Sequence, residues 1–367
     1  MRTAATASAL LDRRAFLRMA GAAWLATLGP RAAFALARAD AVFASGCMDH
    51  AGRFAIAVLS EDGTVIDRTP LPARSHGMAY SPATNHLVAF ARRPGTFALV
   101  IDRGGKAAPV TIAAAEDRHF FGHGCFSPDG RLLYASENDF DANRGVIGLY
   151  DARDGYRRIG EYSTYGIGTH DLSVSDDGRL LIAANGGIET HPDFGRTKLN
   201  LDHMEPSLAL IDAATGGLVQ RHALPEKLRQ LSTRHVDLDE KGRIWFACQY
   251  EGPRNDLPPL VGHFGKGEDL TFLSLPEETT IGLANYVGAI AVNRREGLVG
   301  LTSPNGGRFV VLDAESGRVL REEDVPDAAG IAAAPHGFAV SSYDGRFAGR
   351  RADVAWDQHI AGLAPPR

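Results

Sequence analysis

Six times along the chain an apolar hexapeptide ends in a polar turn and is followed by a second apolar strand. The copies are His76-Gly-Met-Ala-Tyr-Ser, His123-Gly-Cys-Phe-Ser-Pro, His170-Asp-Leu-Ser-Val-Ser, His235-Val-Asp-Leu-Asp-Glu, Gly288-Ala-Ile-Ala-Val-Asn and Gly330-Ile-Ala-Ala-Ala-Pro. The first two intervals are both 47 residues, and the later ones are 65, 53 and 42. A period of that length, with four short strands per unit, is the signature of a β-propeller.

Alternation and turns predict the strands inside a unit. In the second unit Gly122 to Ser127 reads as strand A, Leu132 to Ser136 as B, Gly145 to Asp151 as C and Tyr156 to Tyr162 as D. Pro128-Asp129-Gly130 makes the A–B turn, and Asp-x-x-x-Gly endings at Asp151, Asp212 and Asp313 make C–D turns. Residues 42–70 hold three strands with no innermost partner, which the tail Trp356-Asp357-Gln358-His359-Ile360-Ala361 supplies. The expectation is an all-β, seven-bladed β-propeller of four-stranded antiparallel blades. Its last blade is closed by the N- and C-terminal strands, so no sheet edge stays free. Six blades is the alternative, with the tail as a peripheral strand.

In such a meander the D–A and B–C loops share one face. The B–C loops carry Arg92 and Arg93, Glu137-Asn138-Asp139, Asn185, and Gln249-Tyr250-Glu251, while the D–A loops deliver the histidines to the mouth of the central channel. Two long excursions, Gly186 to Pro206 and Glu251 to Leu260, interrupt B–C connections on that face. Doubling a loop costs only about 0.6 kcal/mol, so length alone is tolerated anywhere. Its confinement to one face suggests use.

Ahead of the repeats, Arg13-Arg14 precedes an apolar run from Met19 to Leu28 and an Ala33-Phe34-Ala35 cleavage site. This predicts a Tat signal peptide over residues 1–35, cleaved from a single propeller domain over 36–367 that is soluble in the periplasm. The run is too short to cross roughly 30 Å of hydrocarbon. Removing the leader leaves 34 basic against 43 acidic side chains, a balance that argues against nucleic acid or anionic lipid as partner. Cys47, Cys125 and Cys248 are an odd set without Cys-x-x-Cys spacing, so at most one disulfide forms; buried, inert thiols fit their strand-like surroundings better.

Several stretches are long enough to compare. Arg92-Arg93-Pro94-Gly95-Thr96-Phe97-Ala98, His119-Phe120-Phe121-Gly122-His123-Gly124, Glu137-Asn138-Asp139-Phe140-Asp141, Asn185-Gly186-Gly187-Ile188-Glu189-Thr190-His191-Pro192, Lys198-Leu199-Asn200-Leu201-Asp202 and Cys248-Gln249-Tyr250-Glu251-Gly252 resemble the uncharacterised family numbered 1513 among the domains of unknown function. The resemblance implies a Tat-exported propeller whose genes neighbour those of imelysin-type iron-uptake proteins. It assigns no activity and no residue role.

Three readings of the chemistry follow. First, His76, His123, His170 and His235 encircle the channel mouth and bind a metal such as iron, or a haem-like ligand. Against this, a histidine opening strand A can simply pack on the neighbouring blade and cap a carbonyl, and Gly288 and Gly330 fill the same slot without a ligand atom; this weighs more on sequence alone. His119 reads as a loop residue that spacing alone does not bring to the same ion. Second, a lactonase-type hydrolase would orient a small anionic substrate with Arg92 or Arg93, use Asn138 and Asn185 as ligands and Glu137 or Glu251 as general base; Asp139, Asp141 and Glu251 also read as solvated loop charges. Third, the decorated face, with His191, Gln249, Tyr250 and the long excursion, docks a periplasmic iron-uptake component or holds a small ligand. The expectation carried forward is a binding module for metal acquisition, with the hydrolase as alternative.

Overall fold

The computed structural model describes residues 41–363, so the twin-arginine leader lies outside the described residues. Seven four-stranded antiparallel sheets follow one another around a ring. Blades 1 to 6 begin with the inner strands Ser75–Ser81, Arg118–Phe126, Thr169–Val174, Leu231–Leu238, Ala289–Asn293 and Ala328–Ala333. Blade 7 takes its inner strand, Ala355–Gly362, from the C-terminal end, and the other three, Ala41–Met48, Phe54–Ser60 and Val65–Leu71, from the N-terminal end. The seven-bladed expectation and its mode of closure are both met. Among the described residues no helix is long and apolar enough to cross a membrane.

Apolar residues of consecutive blades pack face to face. Ile182, Leu208, Leu210, Phe246, Val261, Val299 and Leu301 belong to one such cluster, running from blade 3 to blade 5. At the closure Trp356 sits between Phe43, Phe347 and Leu59 in a second cluster, and its indole N–H donates to Gly345 O at 3.0 Å. Cys47, Cys125 and Cys248 are all free thiols.

The inner strands depart from regular pairing in six of the seven blades. Ser75 pairs with Ala91 but Met78 with Ala89; Phe120 pairs with Glu137 but Gly124 with Ala135. Comparable shifts fall between Thr169 and Asp171, Thr233 and His235, and Ala328 and Ile331, and on the partner of the blade 7 inner strand between Ser45 and Cys47. Each bulge inserts extra residues into the inner strand, which twists it and re-aims a side chain toward the axis. In blade 2 the inner strand starts at Arg118, four residues before the expected Gly122, because pairing resumes on the far side of the bulge. His119 is therefore a strand residue rather than a loop residue. Its Nε2 lies 3.1 Å from Asn138 Nδ2, and burial pulls its pKa down to about 4.

Candidate metal centre

The bulges carry histidines. His76, His123, His170 and His235 come from the inner strands of blades 1 to 4, and a fifth, His359, from that of blade 7. They lie on the strands, inside the channel, instead of in the D–A loops at its mouth; the bulges turn them inward before the loop is reached. The first four are buried.

Eight ring contacts join the five imidazoles. His123 meets His76 at 4.8 Å between ring centres, His170 at 5.1 Å, His235 at 5.4 Å and His359 at 4.6 Å. The other four form a circuit: His76 to His170 at 5.5 Å, His170 to His235 at 4.8 Å, His235 to His359 at 4.8 Å and His359 to His76 at 4.7 Å. Eight contacts among five points, four of them from one point, are the edges of a square pyramid with His123 at its apex. The ligand atoms of His76, His123 and His170, and those of His123, His235 and His359, lie within 4.8 Å of one another.

Close approach is built into the backbone. A Cβ on Gly77 would stand 2.5 Å from both Gly122 O and His123 Nδ1, and one on Gly122, at φ +108°, would stand 2.8 Å from the His76 ring. Gly288 and Gly330, which spoke against a complete ring, act as spacers: a Cβ on Gly330 would press within 2.9 Å of Ile360 and 3.1 Å of His359. Their slots let the blade 7 strand reach the cluster.

Asp171, which sequence reasoning passed over, connects the set. Its carboxylate stands 3.2 Å from His123 Nδ1 and 3.6 Å from His235 Nδ1, and accepts from Val236 N at 3.2 Å. Burial alone would raise its pKa, but the two imidazoles outweigh burial and hold it well below the usual carboxylate range. A carboxylate facing Nδ1 makes that nitrogen the donor and leaves the lone pair on Nε2. The Nε2 atoms of His123 and His235 are buried with no hydrogen-bond partner, as are His359 Nε2 and His76 Nδ1. Burial holds the pKa values of His76, His170 and His359 well below the imidazole range, with neighbouring histidines, Arg92 and Arg234 adding to the effect. Burial lowers that of His235 too, against the pull of Asp171. Four buried imidazole nitrogens of one cluster are thus left without partners, where buried polar groups ordinarily find one.

On the D–A and B–C side of the cluster the charge is positive. Arg93 is 9% exposed and makes no hydrogen bond or ion pair among the described residues, and burial brings its pKa down to about 9, helped by Arg234, Arg196 and Arg92. Arg92 Nε is buried without a partner. Arg234 donates from Nη1 to His170 Nδ1 at 3.2 Å and from Nη2 to Glu251 at 3.3 Å. On the opposite side, toward the A–B turns, a cavity of about 350 Å3 is bordered by His123, His235, His359 and Asp171. The cavity that touches the histidines therefore lies on the face away from the one the loops indicated, while a second cavity of about 680 Å3, lined by Leu228, Tyr250, Asp256 and Leu257 on the loop face, shares no residue with it.

Other residues expected at the site serve the scaffold. Asn138 donates to Thr190 O, and Asn185 bonds Thr169, Thr164 and Ser207. Glu137 accepts from Tyr150 and Arg158 inside its blade, and Asp139, far from solvated, is buried against Arg118 and Arg144. Glu251 pairs with Lys198 at 2.5 Å as well as with Arg234. Tyr250 donates to Asp256, and Gln249 forms a backbone bridge with Tyr286. His191 caps the short helix Pro192–Phe194 and touches Phe140, away from the five-histidine set.

The family described as "Protein of unknown function (DUF1513)" matches residues 69–363. No curated protein matches the chain. Among solved structures, Kuenenia stuttgartiensis hydrazine synthase is similar at TM-score 0.60 and 16% identity, over 81% of this chain and 91% of that one. The β-propeller domain of Myceliophteria thermophila Cps50 (Swd1) is similar at TM-score 0.57 and 12% identity, over 81% and 93%. At such identities the likeness is one of fold.

Proposed function

The chain belongs to this family of unknown function, and we propose that it is a metal-binding propeller that holds one divalent transition-metal ion among His76, His123, His170, His235 and His359. The observation that carries this is the four unpartnered nitrogens of His76, His123, His235 and His359, in a cluster whose ligand atoms gather as two sets of three that share His123; His170 would join by exchanging its Arg234 contact for the ion. An imidazole bound at about 2.0–2.1 Å puts its ring centre about 3.2 Å from the ion, so cis ligands have ring centres about 4.5–5.2 Å apart. The eight observed separations run from 4.6 to 5.5 Å. Asp171 would act behind the ligands, fixing two rings in the tautomer that binds.

An all-imidazole set suits zinc, copper, nickel or ferrous iron. It does not suit haem, whose porphyrin takes the equatorial positions and leaves two opposite axial sites, with ring centres about 6.4 Å apart by the same bond lengths. Five imidazoles joined by eight ring contacts leave no plane for a macrocycle. The role that fits is retention or transfer of iron or a related metal after export to the periplasm. Glu137 and Glu251, the general bases of the hydrolase alternative, are both held in ion pairs, and this favours the metal-binding reading over it.

The test is metal content. Protein purified without chelator, or dialysed against Fe(II), Ni(II), Zn(II) and Cu(II) in turn, should hold about one ion per chain. The double change His123→Ala, His359→Ala should abolish it while circular dichroism is unchanged. Metal-free protein under all four conditions, or full retention in the double variant, would contradict the proposal.

A further inference from the structure

Five consecutive blades around the ring, from 7 through 4, supply a histidine, and the two that do not, 5 and 6, stand diametrically opposite His123 in blade 2. In the square pyramid the position opposite the apex is the one that no imidazole fills. There the chain presents Gly288 and Gly330, and below them Ala289, Ile290 and Ile331 line the cavity. His123, His235, His359 and Asp171 converge at the upper end of that cavity, and Tyr80 and Ser173 add hydroxyl-bearing residues to its wall below. On the side of blades 5 and 6 its wall is aliphatic, made by Ala289, Ile290 and Ile331 with the neighbouring Ile360. Pockets of such size take small molecules, oriented by the few polar groups that converge in them.

From this geometry we infer that the bound ion keeps one exchangeable position, on the side of blades 5 and 6, which opens into the cavity and takes a small neutral ligand with one nitrogen or oxygen donor and a short apolar body. A structural metal site closes its coordination sphere with protein, whereas a site that works on or senses a ligand keeps a position open. The arginine-lined mouth points the same way: Arg92, Arg93 and Arg234 oppose passage of a cation through that face, and Asp171 favours it through the other. Charge at Asp171 also disfavours a carboxylate as the ligand's donor group.

The inference rests on the metal site proposed above, and the experiment separates the two. Protein loaded with Cu(II) or Co(II) is titrated with imidazole and with N-butylimidazole while its visible spectrum is recorded. The expected result is a saturable shift with both, the butyl compound binding at least about tenfold tighter because its chain is buried against the apolar wall. Ile290→Trp, and separately Ile331→Phe, should leave one ion per chain but remove that preference. If no ion loads, the metal reading falls and takes this inference with it. One ion per chain with a spectrum unmoved by either ligand overturns the open position alone. A butyl preference that survives both cavity variants, with metal still bound, overturns the assignment of the cavity.

Discussion

Lowering the pH from 7.5 to 5.5 should destabilise the metal-free protein, by an amount that follows from its buried imidazoles. The pKa values of His76, His170 and His359 are held well below 6.5 by burial, and that of His119 at about 4. Each stays neutral in the fold while its unfolded counterpart takes up a proton. Stability is thus fully present above pH 6.5 and is lost as pH falls from there toward the folded values. Over this interval an unfolded imidazole of pKa 6.5 contributes about 1.4 kcal/mol, so four contribute about 5.5 kcal/mol. Asp237 opposes them: burial raises its pKa from 3.8 to about 6, so it gains a proton in the fold first. That returns about 0.8 kcal/mol, leaving about 4.7 kcal/mol. At roughly 2.1 cal/mol/K per residue, a fold of this size has an unfolding entropy near 0.7 kcal/mol/K, so Tm should fall by about 7 °C. Differential scanning calorimetry on chelator-treated protein measures this directly. His76→Gln removes one titration and should shrink the drop by about 2 °C. A Tm that is flat or rises toward pH 5.5 would refute the reasoning, since it would mean that the clustered imidazoles already carry protons in the fold.

Asp171→Asn should weaken metal binding about 10- to 100-fold with little change in Tm, as isothermal titration would show, because it loosens the tautomer and aim of His123 and His235; unchanged affinity would leave Asp171 without the role given to it. Gly77→Ala removes no ligand, yet its methyl group has no room beside Gly122 O and His123 Nδ1, so affinity should drop at least tenfold with secondary structure retained; wild-type affinity would show that the close approach is not required. Trp356→Ala should cost about 3–5 kcal/mol of unfolding free energy, since it leaves a cavity in the blade that joins the two ends of the chain; a loss below 1 kcal/mol would contradict that packing. Thiol titration should find three reactive sulfhydryls in denaturant and none promptly in the native state, where burial raises the thiol pKa at all three cysteines; fewer than three in denaturant would mean that a disulfide exists.

The ring was legible because its determinants are local. Alternation within each strand, Ser-Pro-Asp-Gly and Asp-x-x-x-Gly turns, and three strands lacking an inner partner near the N-terminus are enough to count blades and close the last one. Four of the five histidines were legible as well, each opening one of the repeated hexapeptides. His359 was within reach, since the tail had been assigned as the innermost strand of blade 7. It escaped because no His-Gly pair or repeat spacing marks it there. Asp171 left no such signal: its chemistry arises because blade 3 lies between the blades of His123 and His235, a long-range relation that strand patterning does not encode. Bulges misled the reading of the loops in a similar way. Side chains alternate faces along a strand, so extra residues in a partner strand change which polar groups meet. Glu137, Asn138 and Asn185 accordingly point into the scaffold, and the cavity beside the histidines lies toward the A–B turns.

The central claim is that five imidazoles share one ion on the channel axis. Diffraction from crystals soaked in Ni(II) or Zn(II), recorded at the absorption edge of the metal, tests it most directly. The account predicts a single strong anomalous peak with four or five histidine nitrogens at about 2.0–2.2 Å, among them Nε2 of His123, His235 and His359. A peak elsewhere, or none while the five rings stay ordered at their present spacing, would contradict it.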